Sequence, residues 1–208
     1  MKICLTNTLA SYIFEADMRS LKVGQMKSCF ISVDIEATGP TPGKYGMYEI
    51  GACVLGGDEY FERKFTLLTL AGISSPALQA VHTTEAELHL RQNLVSPELG
   101  MCEFAQWVSK VAVNATPIFV ANNAPFDWMF VAWYFEEFGV KNPFGHSALD
   151  MKAYFMGMTG CSWMEATLAN MAKYAGIEFA TLPHRALEDA RIQGNIIHAL
   201  INRNKEGK

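Results

Sequence analysis

The sequence has little charge and no long hydrophobic run. Charged residues make up 18% of its 208 residues, whereas half of the residues are apolar. A membrane-spanning helix needs about 18 consecutive apolar residues, and no run approaches that length. The composition argues against a disordered chain and against a membrane partner, and it is typical of a compact globular protein.

The sequence also lacks a dense run of lysine or arginine, and its formal net charge is −4. A protein that binds nucleic acid directly usually carries a positive patch or stripe. Composition therefore does not predict nucleic-acid binding. It allows such binding if bound cations supply the positive charge that the side chains lack.

Cysteine is scarce, with five residues in the chain, and no two of them form a C-x-x-C pair. The odd number and the wide spacing argue against zinc fingers and against a disulfide framework. We expect buried thiols in a reducing compartment, and therefore a cytoplasmic protein. The cysteines are Cys4, Cys29, Cys53, Cys102 and Cys161.

The organised sequence begins near Cys29. We interpret residues 1–27 as a flexible N-terminal extension, or as the product of an upstream start codon with natural translation beginning near Met26. A weak similarity to a signal peptide lacks a convincing cleavage site. Residues 28–203 show no internal repeat and no linker, so we predict one domain followed by a polar tail at residues 204–208.

The first part of this domain has the pattern of three sequential strands. Short apolar runs rich in β-branched and aromatic residues predict strands at residues 29–34, 49–55 and 60–68. Glycine- and proline-rich turns separate them at residues 39–43 and 56–58. Sequential strands joined by short turns predict an antiparallel start to the sheet.

Helices and strands then alternate. Residues 74–96 are mixed, with short helices at best. Apolar spacing and stop signals predict an α/β fold with a mixed sheet flanked by helices. The predicted helices are 97–113, 125–138, 151–156, 164–174 and 186–202, and the predicted strands are 117–121 and 147–150.

Two acidic residues, Asp34 and Glu36, end the first predicted strand. Residues two apart on a strand point to the same face, so both carboxylates project together while Ile35 points into the core. Like charges this close repel each other unless protons or cations intervene. Alone, the pattern is also that of a solvated strand end.

A third acid, Asp127, falls in the first turn of a predicted helix, after Asn123 and Pro125. An acid there also complements the helix dipole without any catalytic role. Farther along, Pro183 favours a loop that carries His184 into the last helix, with Asp189 inside that helix. A surface histidine before an amphipathic helix would give the same pattern.

Four sequence pieces together resemble the DnaQ-like, or DEDDh, 3′–5′ exonuclease family, which includes proofreading subunits, RNase T and oligoribonuclease. The resemblance covers about residues 28–203. It implies an RNase H-like fold in which three antiparallel strands are followed by parallel strands. The pieces are V-D-I-E-A-T-G (33–39), E-I-G-A (49–52), N-A-P-F-D-W (123–128) and H-R-A-L-E-D-A (184–190).

The resemblance implies a role for each matching residue. Two Mg²⁺ or Mn²⁺ ions per active site would be held by carboxylates, which these ions prefer as ligands. A histidine would act as general base, and activity would fall as it protonates between about pH 7 and about pH 5. The implied metal ligands are Asp34, Glu36, Asp127 and Asp189, the implied base is His184, and the implied nucleotide contacts are Ala37, Thr38, Phe126 and Asn123.

The family resemblance leaves the substrate and the partners open. We expect a single-stranded RNA or DNA 3′ end as substrate and mononucleotides as products, with RNA slightly favoured because the chain is similar in build to RNase T and oligoribonuclease. Two alternatives are a non-catalytic partner-binding module on the same fold and a polymerase-associated proofreading exonuclease. A homodimer is a further expectation, drawn from the relatives.

Some candidate residues lie outside these motifs. Asp150 ends a predicted strand just before a helix, where it would cap that helix. The four remaining histidines have no motif context, and we interpret them as structural. They are His82, His89, His146 and His198.

Overall fold

A computed structural model describes residues 27–68 and 70–206. The described chain forms a five-stranded sheet in the order β3-β2-β1-β4-β5. β1 pairs antiparallel with β2, and β2 with β3, whereas β1, β4 and β5 run parallel. The strands are β1 (Lys27–Ala37), β2 (Met47–Val54), β3 (Tyr60–Lys64), β4 (Ala115–Ala121) and β5 (Ala148–Asp150).

The described residues include seven helices, and the predicted α/β mixed sheet flanked by helices is confirmed. Two short helices fall in the stretch that the sequence left mixed. The helices are α1 (Ser75–Ala80), α2 (Glu85–Leu90), α3 (Pro97–Val111), α4 (Ala124–Glu137), α5 (Met151–Thr159), α6 (Leu168–Ala175) and α7 (Ala186–Glu206).

The central strand β1 separates two hydrophobic cores. Its odd-numbered residues, such as Val33 and Ile35, are buried with side chains of α3 and α4. The second core contains side chains of α5, α6 and α7. Strand geometry sends alternate side chains to opposite faces, so the even-numbered positions Asp34 and Glu36 face α7.

Several element boundaries differ from the sequence prediction. β1 is longer at both ends because its pairing with β2 and β4 continues past the apolar run. β3 ends at Lys64, since Phe65 leaves the ladder and makes an isolated bridge to Val95. α6 begins at Leu168 because the side chain of Thr167 caps it by accepting from the Asn170 amide.

α7 continues to Glu206, so the first three residues of the predicted polar tail at residues 204–208 are helical. The Asn204 side chain donates a hydrogen bond of 3.0 Å to the Tyr154 hydroxyl and so ties the helix end to α5. The predicted extension at residues 1–27 lies outside the described residues, apart from Lys27, which starts β1.

The four described cysteines are free thiols, and one of them, Cys53, is buried. Cys4 lies outside the described residues. No helix in the described part of the chain is long and apolar enough to cross a membrane.

The segment of residues 73–95, which we call the cap segment, contains α1 and α2 and packs on β2. Its contact with the sheet is a small separate core in which Leu78 and Leu88 bury Tyr48. A complete capping box at Thr84 and Glu87 starts α2, with each side chain bonded to the backbone of the other residue. The cap segment is therefore a locally stabilised unit beside the carboxyl end of β1.

Candidate active site

Asp34 lies where β1 outruns its neighbour β4. The parallel pairing with β4 ends at Ser32, whereas the antiparallel pairing with β2 continues and places Asp34 opposite Gly51. The side chain of Gln193, on α7, donates a hydrogen bond of 2.7 Å to Asp34 Oδ1. The other end of the same amide accepts from the backbone of Asn122 at 3.0 Å. Gln193 thus links Asp34 to the junction between β4 and α4.

The E-I-G-A motif on β2 is the docking surface for the start of α7. A side chain on Gly51 would overlap the backbone of Ala186 and Leu187, so only glycine lets the helix approach this closely. Glu49 Oε1 accepts a hydrogen bond of 3.1 Å from the amide of Ala186, the first residue of α7. This contact satisfies one of the free amides at the helix start. β2 therefore sets the position of Asp189.

Asp127 reaches the open edge of β1 from the first turn of α4. Its Oδ1 accepts a hydrogen bond of 3.0 Å from the amide of Ile35, which lies beyond the end of the pairing with β4. Asn123, the residue before α4, adopts a left-handed conformation with φ 62°, which asparagine tolerates. Asn123 has no side-chain capping bond to described residues. The backbone turn therefore aims α4 at β1.

Asp150 caps a helix, as the sequence predicts. Its Oδ1 accepts a hydrogen bond of 2.7 Å from the amide of Ala153 in α5. Its Oδ2 accepts a hydrogen bond of 2.7 Å from the amide of Ala124 at the start of α4. One carboxylate thus joins two helix starts beside the site.

His184 lies on the loop before α7, as predicted, with a left-handed φ of 57°, and it is exposed. Ligand atoms of Glu36, His184 and Asp189 all lie within 4.8 Å of one another. Glu36 and Asp189 are buried, so an exposed histidine from the loop covers a floor of two buried carboxylates.

The environment of the acidic side chains in the site disfavours their ionised forms. Burial raises the pKa of Asp34, and the neighbouring charges of Asp127, Glu36 and Asp189 raise it further. Burial, with repulsion from Glu49 and Asp189, raises the pKa of Glu36 to about 7. Burial is the main cause at the other two acids, raising the pKa of Asp127 to about 8 and that of Asp189 to about 6. The four acids are therefore close enough to interact.

These features fit a site for divalent cations. Asp189 Oδ1 is buried and has no hydrogen-bond partner within the described chain. A buried polar atom without a partner is costly, and a metal ion is one ligand that would satisfy it. Oxygen ligands suit Mg²⁺ and Mn²⁺, and cations would offset the mutual repulsion of the acids.

An apolar cavity of about 440 Å³ adjoins Glu36. The predicted nucleotide contacts Ala37 and Phe126 line it, together with Pro76 and Val81 of the cap segment. Asn123 is exposed at the start of α4. The cavity therefore lies directly beside the carboxylate cluster.

Thr38 differs from the sequence prediction, because it is fully buried and its polar groups bond within the protein. Its hydroxyl donates to Gly72 O at 2.7 Å and accepts from the amide of Gly46 at 2.9 Å. Its amide donates to Gly46 O, and its carbonyl accepts from Ser74. Thr38 joins β1 to the cap segment, and its side chain does not reach the cavity.

Sequence reasoning missed three residues around the site. His82, interpreted as structural, lies with its ring centroid 6.1 Å from that of His184, and the sequence carries no local signal for this contact. Gln193 is the amide that holds Asp34. Glu49 stands in the recognised E-I-G-A piece, which was the available signal for its role at α7.

Comparison with known proteins defines the class. The family described as RNase T, exonuclease, matches residues 31–197. The chain therefore belongs to this family, the DnaQ-like 3′–5′ exonucleases of the DEDDh type. Members of this class typically use divalent metals and act on nucleic-acid 3′ ends.

Individual relatives agree with this assignment. The 3′–5′ DNA exonuclease Cap18 of Escherichia coli is 36% identical over 187 residues, covering 88% of this chain and 96% of that protein. The nuclease domain of 3′hExo, a DEDDh family member solved with rAMP, has the same fold, with a TM-score of 0.68 and 13% identity over 87% of this chain and 94% of that one. The E. coli ExoI–ssDNA complex has a TM-score of 0.63 and 18% identity, covering 85% of this chain and 41% of that one.

Proposed function

We propose that this exonuclease hydrolyses the terminal phosphodiester at the 3′ end of single-stranded DNA and releases nucleoside monophosphates one at a time. The observation that carries the proposal is the cluster of Glu36, His184 and Asp189, whose ligand atoms lie within 4.8 Å of one another beside an apolar cavity. The reacting phosphate would lie at the cluster and the terminal base in the cavity, so the two environments must be adjacent.

DNA is the proposed substrate because the relative at 36% identity is named a DNA exonuclease. The slight preference for RNA expected from the sequence rests on chain size, and it stays a prediction. A protein distinguishes RNA from DNA through the 2′-hydroxyl. Degradation of both polymers, measured in parallel, distinguishes the two substrate classes.

Four carboxylates, those of Asp34, Glu36, Asp127 and Asp189, would hold two Mg²⁺ or Mn²⁺ ions. Two such ions would activate the attacking water and neutralise the negative charge on the leaving 3′ oxygen. The chain aligns the ligands through Gln193 on Asp34 and through the Ile35 amide on Asp127.

His184 would accept the proton of the attacking water as the oxygen–phosphorus bond forms and the bond from phosphorus to the 3′ oxygen breaks. Its place on an exposed loop over Glu36 and Asp189 lets it reach the solvent side of the phosphate. Histidine is the side chain that most often serves as a general base.

The terminal base would enter the apolar cavity, where Phe126 offers an aromatic face and Ala37 borders the floor beside Glu36. Stacking of a base on an aromatic side chain stabilises single-stranded nucleic acid without sequence preference. Asn123, exposed at the start of α4, would contact the nucleotide through its amide.

The test uses purified protein with Mg²⁺ or Mn²⁺ and with single-stranded DNA and RNA oligomers labelled at either end. His184→Ala and Asp34→Asn should each lower kcat by about 10²-fold or more. His89→Ala is the matched control, because His89 is an exposed histidine on α2 outside the cluster. Shortening from the 3′ end that EDTA abolishes is the expected result.

Other outcomes distinguish the alternative hypotheses about the substrate and the activity. Faster loss from RNA than from DNA would move the substrate class to RNA. Absence of cleavage of either polymer, with metal present, would contradict the proposal and favour a specialised substrate. The intact set of five site residues and the family assignment favour an enzyme over a non-catalytic module.

Two expectations about partners stay predictions. A homodimer should appear as twice the monomer mass in light scattering. A polymerase-associated proofreading subunit should copurify with its polymerase.

A further inference from the structure

We propose that Arg91 is a positioning residue for this reaction, and that it sets the start of α7 relative to Glu36 through Glu49 and Tyr48. The inference rests on the proposed function, because it assigns the alignment of His184 and Asp189 to a contact outside the recognised motifs. Arg91 lies in the cap segment, directly after α2.

The first link is an ion pair between the cap segment and β2. An Arg91 guanidinium nitrogen lies 3.1 Å from Glu49 Oε2 and donates a hydrogen bond to it. The Glu49 side chain is only 5% exposed and that of Arg91 is 23% exposed. A carboxylate this deeply buried needs a charged partner, and Arg91 supplies one.

The second link runs from Glu49 into the catalytic helix. While Oε2 of Glu49 binds Arg91, Oε1 accepts from the amide of Ala186 at 3.1 Å. Ala186 lies two residues after His184 and three before Asp189. The orientation of the Glu49 carboxylate, held by Arg91, therefore controls where α7 begins.

The third link leads to Glu36. The Arg91 guanidinium carbon lies 4.3 Å from the centre of the Tyr48 ring, a cation–π distance. The Tyr48 hydroxyl lies 3.5 Å from Glu36 Oε2, at the limit for donating a hydrogen bond. Arg91 thus contacts one partner that leads to α7 and another that leads to β1.

Loss of Arg91 leaves the Glu49 carboxylate buried without its cation, close to Glu36 and the rest of the acidic cluster. Glu49 would then rotate toward water or repel Glu36, and in either case the Ala186 amide would lose a fixed acceptor. A displacement of about 1 Å at a catalytic group can lower the rate by about 10²-fold. We therefore expect a defect in kcat rather than in substrate binding.

The chain offers a matched control in Arg63. Arg63 donates a hydrogen bond of 2.6 Å to Glu103, and its guanidinium carbon lies 5.0 Å from the centre of the Phe61 ring. The same two kinds of contact occur there, away from the cluster: the ion pair joins β3 to α3, and the cation–π contact lies within β3. Arg63→Ala therefore removes the same kinds of contact, at a pair whose side chains are more exposed (39% and 33%), without touching the path to α7.

The experiment measures kcat, KM and thermal stability for the full-length wild type, Arg91→Ala, Arg91→Lys and Arg63→Ala on the polymer that the wild type degrades faster. Arg91→Ala should lower kcat by about 10- to 100-fold with KM changed by less than about threefold. Arg91→Lys should recover part of kcat, because it restores the charge without the planar guanidinium. Arg63→Ala should keep the wild-type kcat.

The outcomes separate this inference from the proposed function. An inactive wild type would contradict the proposed function itself. With an active wild type, an unchanged kcat in Arg91→Ala would overturn the inference, and so would a rise in KM alone, which would make Arg91 a substrate contact. If Arg91→Ala does not fold, Arg91→Lys and Glu49→Gln replace it, and wild-type kcat in both would overturn the inference.

Discussion

At the scale of single residues, the site contains buried carboxyl groups that destabilise the metal-free protein. Glu36, Asp127 and Asp189 are each less than about a tenth exposed, and no arginine or lysine pairs directly with any of them among the described ion pairs. Burial, with repulsion from neighbouring carboxylates, raises the pKa of each carboxyl group above its ordinary value. Bound divalent cations would offset this cost, because carboxylate oxygens are ligands that such ions prefer.

This arrangement predicts that the metal-free protein becomes less stable as pH rises from about 5 to about 8. Because the folded-state pKa values, about 6 to 8, exceed those of the unfolded chain, the folded state binds more protons in this range. The contribution of these carboxyl groups to folding stability is full at pH values below their pKa in the unfolded chain. It is lost as pH rises through their pKa in the folded protein. Thermal unfolding in EDTA should show Tm falling with pH, and Mn²⁺ at about pH 8 should raise it again.

Asp127→Asn is the matched variant for this measurement. It removes one raised carboxyl group while its amide oxygen can still accept from the Ile35 amide. The fall in Tm with pH should therefore be shallower in EDTA than in the wild type, and Mn²⁺ should stabilise the variant less. A Tm that rises with pH in EDTA would contradict the electrostatic description of the site.

At the scale of elements, the site depends on how closely α7 packs against β2. Gly51 leaves room for the helix backbone, and Glu49 bonds to the first helical amide. The two residues stand two apart in one strand, so both face α7. The E-I-G-A piece is thus a docking surface, and any contribution it makes to the proposed catalysis would pass through the placement of Asp189 and His184.

Gly51→Ala should therefore damage stability and activity together. The added Cβ meets helix backbone rather than a flexible side chain, so α7 must shift. Overpacking of this kind costs about 1–3 kcal/mol, or more where backbone must move. Urea unfolding and kcat, measured on the same preparations, should both decline.

Gly57→Ala is the control for that substitution. Gly57 lies in the turn between β2 and β3, where a Cβ would make ordinary contact with the Val54 side chain at 3.6 Å. Its unfolding free energy and kcat should stay near those of the wild type. Equal effects of the two substitutions would show that the contact between β2 and α7 has no special role.

At the scale of the whole molecule, an acidic protein must bind a polyanion. The formal net charge of −4 and the four clustered carboxylates both oppose a nucleic-acid strand. Long-range electrostatics normally supply much of the affinity for nucleic acid. In this protein the metal ions would reverse the sign of the field at the one place where the strand must enter.

Binding of a 5′-labelled oligonucleotide should accordingly depend on divalent cations. Ca²⁺, an oxygen-seeking ion, should support binding in fluorescence anisotropy, whereas EDTA at matched ionic strength should weaken it by about tenfold or more. Asp34→Asn should reduce the difference between the two conditions. Equal affinity in Ca²⁺ and EDTA would mean that side chains alone attract the strand.

The sequence alone was sufficient for features that depend on local geometry. The alternation of a strand predicts that Asp34 and Glu36 share a face, and the structure has both facing α7. Turn and capping chemistry predict a loop before α7 and the cap at Asp150, and both are confirmed. Boundaries were less well predicted, because Lys64, Thr167 and Glu206 end or start elements through pairing and packing rather than through apolar pattern alone.

The tertiary structure alone decided which distant residues meet. Gln193 reaches Asp34 across 159 positions, Arg91 reaches Glu49 across 42, and His82 comes to lie beside His184. Thr38 directly follows β1 in sequence, but packing buries it and its hydroxyl bonds to Gly72. Backbone geometry relates residues only a few positions apart. Contacts between distant residues arise only when separate elements pack together, so no local sequence pattern predicts them.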